Sequence, residues 1–223
     1  MEAIDEQLVE RIDRYVEDLF VREDTILAEC LKDTAAAGLP SINVSPNQGK
    51  LLYLVARISR ASRILELGTL GAYSTIWLAR AVPAGGRVIT LEVNSHNADV
   101  ARKNLIRAGC GGRVEVRVGD ATATLRQMIA TGEPAFDLIF IDADKPRYVD
   151  YLHLSLQLAH SGSVILADNL IRNGRVLDAH PEDELVRGVK AFNEAIAAHP
   201  RLESIILPIY RSKVDGLSIS LVK

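Results

Sequence analysis

The sequence predicts an α/β protein with a doubly wound sheet of seven strands, mostly parallel with the last strand antiparallel, plus N-terminal helices. From residue 62 onward, short apolar runs alternate with amphipathic stretches of helical length. Strands that alternate with such helices form βαβ units, in which helices cover both faces of a parallel sheet. The last two apolar runs are separated only by residues 208–215, too few for a crossover helix, so these two strands should pair antiparallel.

Each predicted element corresponds to one run of the apolar pattern. Strands are expected at 63–67, 87–92, 113–118, 136–142, 163–167, 202–207 and 216–222. Helices are expected near 73–82, 95–109, 121–131, 146–159 and 182–199. Upstream, helical spacing of apolar residues predicts helix from residue 3 to about 37, with a second stretch from Asp24, and again over 48–59 after Pro46. We therefore expect a single domain, 1–223, with a helical extension over 1–60 and a Rossmann-like core over 61–223.

The composition is that of a soluble globular protein and disfavours several classes of function. Hydrophobic residues make up 48% and charged residues 25% of the 223 residues, and the net charge is −3. No basic tract stands out, which argues against broad nucleic-acid binding through phosphate contacts. Cys30 and Cys110 have no second ligand at metal-binding spacing, no secretory signal is recognisable, and no apolar run approaches the ~20 residues that span a membrane. We expect a cytoplasmic protein without membrane contact.

The first predicted strand ends in a glycine-bearing loop that opens a helix, with the sequence E-L-G-T-L-G-A-Y-S over 66–74. Such a loop lets a ligand approach the backbone closely at the carboxyl edge of the sheet. It is not the G-x-G-x-x-G loop of dinucleotide-binding proteins, and an acid, Glu66, precedes the first glycine by two positions. A carboxylate at this place opposes a pyrophosphate but does not oppose a positively charged cofactor.

The next two predicted strands also end at acids. Glu92 closes the second strand 24 positions after Gly68 (92 − 68), close to where a ribose-binding acid belongs. Asp120 and Ala121 follow the third strand. One such acid alone is more often a helix cap or a solvated side chain. Three of them in register at one edge of the sheet favour an adenosine site.

The fourth and fifth predicted strands bring a second cluster of polar residues to the same edge. Asp142 ends the fourth strand with Lys145 three positions later, and Asp168 and Asn169 end the fifth. Adjacent strands lie about 4.8 Å apart, so two carboxylates and an amide can converge on a hard cation such as Mg²⁺ or Ca²⁺. The alternative is that both aspartates are helix caps and Lys145 is a surface lysine.

If this cluster binds a divalent cation, the residues around it predict transfer of a methyl group to a hydroxyl. A divalent cation that binds a substrate hydroxyl lowers the pKa of that hydroxyl and holds it in place. Lys145, beside the cation, would take the proton as a general base. The oxyanion would then face a positively charged methyl donor, and transfer between them neutralises both charges in a dry site.

Four motifs together resemble the cation-dependent O-methyltransferases that use S-adenosylmethionine, a family that includes catechol and caffeoyl-CoA O-methyltransferases. They are V-S-P at 44–46, E-L-G-T-L-G-A-Y-S at 66–74, I-D-A-D-K at 141–145 and A-D-N at 167–169. The resemblance runs from about Ser41 to the C-terminus. It implies a small phenolic acceptor of the catechol or caffeoyl type, Mg²⁺ as the metal with Ca²⁺ or Mn²⁺ as alternatives, and a homodimer.

The resemblance also implies a role for individual residues. It implies cofactor contacts for Val44, Glu66, Gly68, Tyr73, Ser74, Glu92, Asp120, Ala121 and Asp142. It implies metal ligation by Asp142, Asp168 and Asn169, and a general base at Lys145. Relatives often carry an aromatic residue shortly after the Asp-Asn pair, where this chain has Ile171 and Arg172. This departure leaves the identity of the acceptor undecided. Arg172 would favour an acidic acceptor if it lies at the site, and the alternative is that it is a solvated surface arginine.

Three other functions stay open at this point. Some bacterial relatives methylate a hydroxylated uridine in tRNA, for which a basic face of Arg102, Lys103 and Arg107 would have to compensate for the acidic pI. A nicotinamide-dependent dehydrogenase would share the fold, but the missing G-x-G-x-x-G and the Asp-Asn pair weigh against it. A binding module that has lost the reaction is disfavoured, because Lys145 and all three predicted metal ligands are present.

Overall fold

The computed structural model describes residues 6–21, 24–210 and 214–223. The helices are α1 (Glu6–Phe20), α2 (Thr25–Ala36), α3 (Pro46–Ile58), α4 (Tyr73–Ala81), α5 (Ser95–Arg107), α6 (Ala121–Ala130), α7 (Tyr148–Ser155) and α8 (Glu184–Ala198), with short 3₁₀ helices at Lys145–Arg147 and Arg175–Leu177. The strands are β1 (Arg63–Leu67), β2 (Arg87–Glu92), β3 (Val114–Val118), β4 (Phe136–Ile141), β5 (Ala159–Ala167), β6 (Leu202–Tyr210) and β7 (Val214–Val222). Within the described ranges, no helix is both long and apolar enough to cross a membrane.

The strands form one seven-stranded sheet in the order β3-β2-β1-β4-β5-β7-β6. Neighbouring strands from β3 through β5 pair in parallel, whereas β7 lies antiparallel between β5 and β6. The predicted doubly wound sheet with an antiparallel last strand is therefore confirmed. The winding reverses between β1 and β4, and in such a sheet the crevice for ligands opens at the carboxyl ends of the strands near this point.

Both faces of the sheet are covered by helices, which explains why its central strands are apolar throughout. One core lies between the sheet and α3, α4 and α5, where Leu52, Ile76 and Leu105 pack. The other lies on the opposite face against α6, α7 and α8, and includes Leu125 and Phe192. Alternate residues of β1 and β4 belong to the two cores, as expected for strands buried on both sides. Polar side chains that follow these strands are therefore concentrated at the open carboxyl edge.

The predicted helix over 146–159 ends early, and β5 starts at Ala159 rather than at residue 163. The physical reason is an irregular register between β4 and β5, which leaves room for a side chain to pair with the backbone. The Ser163 hydroxyl donates to the carbonyl of Phe136 at 2.7 Å and accepts from the backbone N–H of His160 at 2.9 Å. A serine that takes over ladder hydrogen bonds in this way leaves no trace in the apolar pattern.

Two other boundaries differ from the sequence prediction. The N-terminal helical stretch is interrupted after α1, whereas the predicted second stretch from Asp24 corresponds to α2, which Asp24 caps by accepting from the backbone N–H of Leu27 at 3.1 Å. Residues 3–5 and 22–23 of that prediction lie outside the described residues. The C-terminal hairpin is longer than expected, since β6 extends to Tyr210 and β7 begins at Val214.

Candidate active site

A cavity of about 910 Å³ opens at the carboxyl ends of the central strands. This volume is near the upper end of the range for small-molecule sites, about 300–1,000 Å³. Of the residues predicted for the site, those that line the cavity are Val44, Gly68, Tyr73, Ser74, Glu92, Asp120, Ala121, Asp142, Lys145, Asp168 and Asn169. Glu66 does not line it. The structure therefore brings together all but one of the side chains that sequence reasoning singled out.

The glycine loop after β1 is packed directly against the end of β4. Gly68 has a φ of +95°, and a Cβ built on it would lie 2.1 Å from the carbonyl oxygen of Asp142. The backbone N–H of Gly68 donates to Leu91 at 3.0 Å, and that of Asp142 donates to Leu67 at 2.9 Å. Only glycine fits this conformation and this approach. The loop and the strand end that bears Asp142 therefore form one continuous wall.

Glu92 fixes the shape of the same loop from the neighbouring strand. One of its carboxylate oxygens accepts from the backbone N–H of Leu70 at 2.8 Å. The other accepts from the backbone N–H of Asn94 at 2.9 Å, just before α5. The side chain is buried against the protein but still lines the cavity. Glu92 thus stabilises the loop in addition to presenting an acid at the position predicted for a ribose contact.

Glu66 lies behind the cavity wall, fully buried within a cluster of hydroxyl groups. It accepts hydrogen bonds from Ser74 at 2.6 Å, from Thr75 at 2.5 Å and from Thr90 at 2.7 Å. Burial raises the pKa of Glu66 to about 7, because loss of hydration outweighs the hydrogen bonds from the three hydroxyls. Sequence reasoning missed Thr75 and Thr90, although Thr90 lies opposite Glu66 in the register of β1 and β2.

Asp120 caps α6 and is paired with an arginine that the sequence did not indicate. Its carboxylate accepts from the backbone N–H of Ala123 at 2.9 Å and forms an ion pair with Arg147. The hydrogen bond from Ala123, followed by Arg147, lowers the pKa of Asp120. Arg147 also pairs with Asp144 at 3.1 Å, and the Tyr151 hydroxyl donates to the same carboxylate. The ion pairs of Arg147 therefore connect the end of β3 to the turn after β4 at the border of the cavity.

Lys145 begins the 3₁₀ helix after β4 and is almost completely buried. Its Nζ donates to Oδ1 of Asp142 at 2.9 Å and to the hydroxyl of Tyr148 at 2.6 Å. The Tyr148 hydroxyl in turn donates to the backbone carbonyl of Asp168 at 3.1 Å. Helix α8 packs close behind, since a Cβ on Gly188 would lie 2.3 Å from the carbonyl oxygen of Lys145. Tyr148 and Gly188 position the lysine, and neither was predicted.

Asp168 ends β5 with only 3% of its surface exposed. Its carboxylate accepts from the backbone N–H of Asn169 at 2.8 Å and from Nε2 of Gln48 at 3.2 Å to each oxygen. Burial, and after it the negative charge of Asp142, raises the pKa of Asp168 to about 7. The sequence analysis did not predict Gln48 as a site residue, because a glutamine three positions after Ser45 is already explained by the capping box of α3.

The chemistry of Asp142, Asp168 and Asn169 fits a divalent cation. Burial of the Asp168 carboxylate, and after it the negative charge of Asp142, disfavour ionisation of Asp168. A hard cation would offset both effects, and all the donors are oxygens of the kind that Mg²⁺ and Ca²⁺ prefer. Among the described residues no group of three or more His, Cys, Asp or Glu side chains could hold a metal ion. A site here therefore depends on the Asn169 amide as well as the two acids.

Comparison with known proteins relates the whole chain to one family. The O-methyltransferase family model matches residues 17–221. The catechol O-methyltransferase of Niastella koreensis is 45% identical over 218 residues, which cover 97% of this chain and 99% of that protein. The catechol O-methyltransferase of Mycobacterium tuberculosis is 44% identical over 213 residues, which cover 95% of each.

The solved structures agree with this relationship. The O-methyltransferase from Bacillus cereus, in complex with SAH, has a TM-score of 0.95 to this fold at 45% identity, and the match covers 97% of this chain and 99% of that one. Its sheet and its sequence therefore correspond to those described above over nearly their full length. Because the family model and these relatives span almost the whole sequence, the chain belongs to the O-methyltransferase family.

Proposed function

We propose that this protein transfers a methyl group from S-adenosylmethionine to one hydroxyl of a small catechol-type acceptor, in a reaction that depends on a divalent cation. The observation that carries the proposal is the meeting of two sites in one cavity. The glycine loop and Glu92 line one part, and Asp142, Lys145 and Asp168 line another. The relatives from Niastella koreensis and Mycobacterium tuberculosis both bear the name catechol O-methyltransferase.

The donor part of the cavity suits a cofactor that carries a positive charge. S-Adenosylmethionine supplies the methyl group from a sulfonium centre, and the Bacillus cereus relative was solved with SAH, the product left after transfer. In this chain Gly68 would let the backbone approach a ligand closely, and Glu92, which lines the cavity beside this loop, would accept from ribose hydroxyls. Tyr73, Ser74, Asp120 and Ala121 line the same cavity. Glu66 would act through the Ser74 hydroxyl that it holds, rather than by direct contact.

The acceptor part combines the proposed metal ligands with the lysine. Asp142, Asp168 and Asn169 would hold the cation, with Mg²⁺ as the first candidate and Ca²⁺ or Mn²⁺ as alternatives. When bound, such an ion supplies Lewis-acid polarisation of the acceptor hydroxyl. Gln48 orients the Asp168 carboxylate through both of its oxygens. A vicinal diol offers two oxygens to one cation, which favours catechols over simple phenols.

Lys145 is the proposed general base. Asp142 and Tyr148 hold its Nζ from two sides, so that the amine has one fixed position at the cavity wall. The neutral amine would take the proton of the acceptor hydroxyl. The oxygen would then bond to the methyl carbon as its bond to the sulfonium sulfur breaks, and SAH would leave as the neutral thioether. Loss of a positioned base of this kind costs about 10²- to 10⁴-fold in rate.

The experiment measures methyl transfer from S-adenosylmethionine to catechol with Mg²⁺ and with excess chelator. We expect chelator to abolish turnover, added Mg²⁺ to restore it, and Asp142→Ala to remain inactive at any Mg²⁺ concentration. Asp150→Ala, an exposed acid on α7, is the matched control and should behave as wild type. Full activity in chelator would refute the metal dependence.

A second pair of variants tests the base. Lys145→Met should lose at least 100-fold in kcat, about the lower bound for a positioned base, while its affinity for SAH by calorimetry stays within a few-fold of wild type. Lys103→Met, an exposed lysine of α5, serves as control. Retained turnover in Lys145→Met, with bound SAH proving a folded site, would exclude the lysine as base.

The tRNA alternative is disfavoured by the charges on α5. Arg102 pairs with Asp99 at 2.9 Å, and Arg107 contacts Glu29 and Asp33, so two of the three cations are neutralised on the surface. Methylation of tRNA without methylation of catechols would reverse this choice. A dehydrogenase would bind NAD in place of SAH, which a calorimetric titration with each ligand decides.

We also propose that the protein forms a homodimer through α1. This helix leaves a stripe of apolar side chains exposed at helical spacing, namely Leu8, Ile12, Tyr15 and Leu19. An equilibrium sedimentation experiment should give twice the mass of the 24.4 kDa chain. Ile12→Arg should shift the population toward monomer, and a wild-type protein that sediments as a monomer at micromolar concentration contradicts the proposal.

A further inference from the structure

Arg172 is a cation of the cavity wall that the proposed chemistry does not use. Within the described ranges the cavity is lined by three cationic side chains, those of Lys145, Arg147 and Arg172. Lys145 pairs with Asp142, and Arg147 pairs with Asp144. No residue that the structure describes forms an ion pair or a side-chain hydrogen bond with the half-buried Arg172 guanidinium. Its charge therefore remains available to a ligand.

The loop that carries Arg172 is fixed by the C-terminal hairpin. Oδ1 of Asp215 accepts from the backbone N–H of Ile171 at 3.1 Å and of Arg172 at 3.2 Å. Asn173 and Val214 exchange two further hydrogen bonds, of 2.7 and 2.8 Å. Arg172 and Asn173 have φ values of 54° and 55°, which lie in the left-handed region. Residues other than glycine adopt this conformation at a cost in energy, so the surrounding contacts must stabilise it. The backbone at Arg172 is thus fixed before any ligand binds, and it directs where the side chain can reach.

The spacing along the chain limits which part of an acceptor Arg172 can reach. Arg172 follows the proposed metal ligand Asn169 by three positions, so their Cα atoms lie at most about 11 Å apart. That distance suits a substituent on the aromatic acceptor itself. The phosphates of a coenzyme A thioester lie at the far end of a long pantetheine arm and would be recognised elsewhere.

The wall beside Arg172 also suits an aromatic ring. Ile209 pairs with Asp215 across the β6–β7 hairpin and lines the cavity together with Leu185. Asp215 is itself an acid, but its Oδ1 accepts from three backbone N–H groups, including that of Gly216 at 3.0 Å. These donors offset part of the negative charge of Asp215, which lessens its repulsion of an anionic substituent near the guanidinium.

We propose that Arg172 binds a carboxylate carried by the aromatic acceptor, so that the preferred substrates are catecholic acids. The proposal rests on the proposed function and adds the chemical class of its acceptor. A guanidinium binds a carboxylate through two parallel N–H···O bonds, which gives direction as well as affinity. Hydrogen bonds to charged groups are expected to raise affinity by roughly 10- to 100-fold over a neutral analogue.

The experiment compares acids with neutral catechols of the same shape. For 3,4-dihydroxybenzoate against 3,4-dihydroxybenzyl alcohol, and for caffeate against caffeyl alcohol, we expect kcat/KM to favour the acid by roughly 10-fold or more, mainly through KM. Arg172→Gln should bring both ratios close to one, and Arg172→Lys should restore part of the preference. Arg175→Gln removes an arginine of the same loop that pairs with Asp183 outside the cavity, and should keep the wild-type ratio.

Binding and a third substrate complete the test. Calorimetry with 3,4-dihydroxybenzoate in the presence of SAH and Mg²⁺ should show the same loss of affinity in Arg172→Gln without any turnover. The inference is overturned if wild type uses acids and alcohols equally, or if Arg172→Gln keeps the wild-type ratio of kcat/KM. In either case, methylation of the neutral catechols would still support the proposed function. A preference for caffeoyl-CoA that Arg172→Gln leaves intact also overturns the inference. Failure to methylate any catechol rejects both proposals.

Discussion

Replacing Glu66 by glutamine should change how the stability of the fold depends on pH. Glu66 is fully buried, and its pKa rises from the ordinary value of 4.5 to about 7. Between these two values the native state binds the proton and the unfolded state releases it. The stability that this carboxyl contributes is therefore complete below pH 4.5 and is lost as the pH rises through 7. Glutamine has no proton to lose and should abolish this dependence.

The size of the effect follows from the shift of the pKa. A change of about 2.5 pH units corresponds to about 3 kcal/mol, at about 1.36 kcal/mol per unit. The free energy of unfolding of wild type minus that of Glu66→Gln should therefore fall by about 3 kcal/mol between pH 4.5 and pH 8. Asp168 titrates in the same range, but it is present in both proteins and cancels in the difference.

The assay is urea unfolding, followed by circular dichroism at several values of pH from 4.5 to 8. Cofactor is left out and chelator is present throughout, so that no ligand adds its own binding energy to the folded state. Glu194→Gln, an exposed glutamate on α8, is the control and should leave the pH profile unchanged. A difference between wild type and Glu66→Gln that stays constant over this range would refute the account of a buried, proton-retaining carboxyl.

Two further variants test the frame around the site. Asp137 is partly buried, which opposes its ionisation, but hydrogen bonds from the backbone of Arg63, from His160 and from Ser62 lower its pKa to about 2. Asp137→Asn should cost about 1–2 kcal/mol at pH 7, an effect present above pH 4 and lost as the pH falls through 2; equal urea midpoints for both proteins at pH 7 would contradict it. Gly68→Ala should lose at least tenfold in SAH affinity by calorimetry, because its Cβ would collide with the Asp142 carbonyl. Gly85→Ala is the control, since Gly85 has a similar φ of +83° but open space around it, and it should bind SAH as wild type does. Equal SAH affinity in the two glycine variants would show that the close approach is not needed.

The parts of the site that the sequence predicts are those imposed by the sheet. Parallel strands end at one edge, so residues that directly follow apolar strands, such as Glu92, Asp142 and Asp168, had to converge there. The fold class was predictable for the same reason, because the alternation of apolar and amphipathic stretches determines a covered parallel sheet. The late start of the predicted β5 came from a single serine hydroxyl that replaces ladder hydrogen bonds, which no pattern of hydrophobicity records.

The parts that the sequence did not predict depend on contacts between distant segments. Gln48 donates to Asp168, which lies 120 positions further along the chain. Its role in the capping box of α3 already explains its place in the sequence, so the contact with Asp168 could not be predicted. Gly188 lets α8 pack against the backbone of Lys145 across 43 positions (188 − 145), and Tyr148 of α7 holds the lysine Nζ from within the same turn. Glu66 was placed on the cavity wall by its motif, whereas the alternation of β1 turns it toward the hydroxyls of α4 and β2.

The hydrogen bonds that Asp215 accepts from the loop after Asn169 attach the C-terminal hairpin to the acceptor side of the cavity, apart from the donor side. The donor wall is built mainly from one continuous stretch, residues 66–121, whose loops support each other. The wall beside Arg172 is completed by the β6–β7 hairpin, which is synthesised last and contacts the sheet only at its edge, through β5. Changes in this hairpin can therefore alter which acceptor fits while leaving the donor wall untouched. Substitutions confined to the last twenty or so residues of this chain are therefore a direct way to change its acceptor without rebuilding the donor wall.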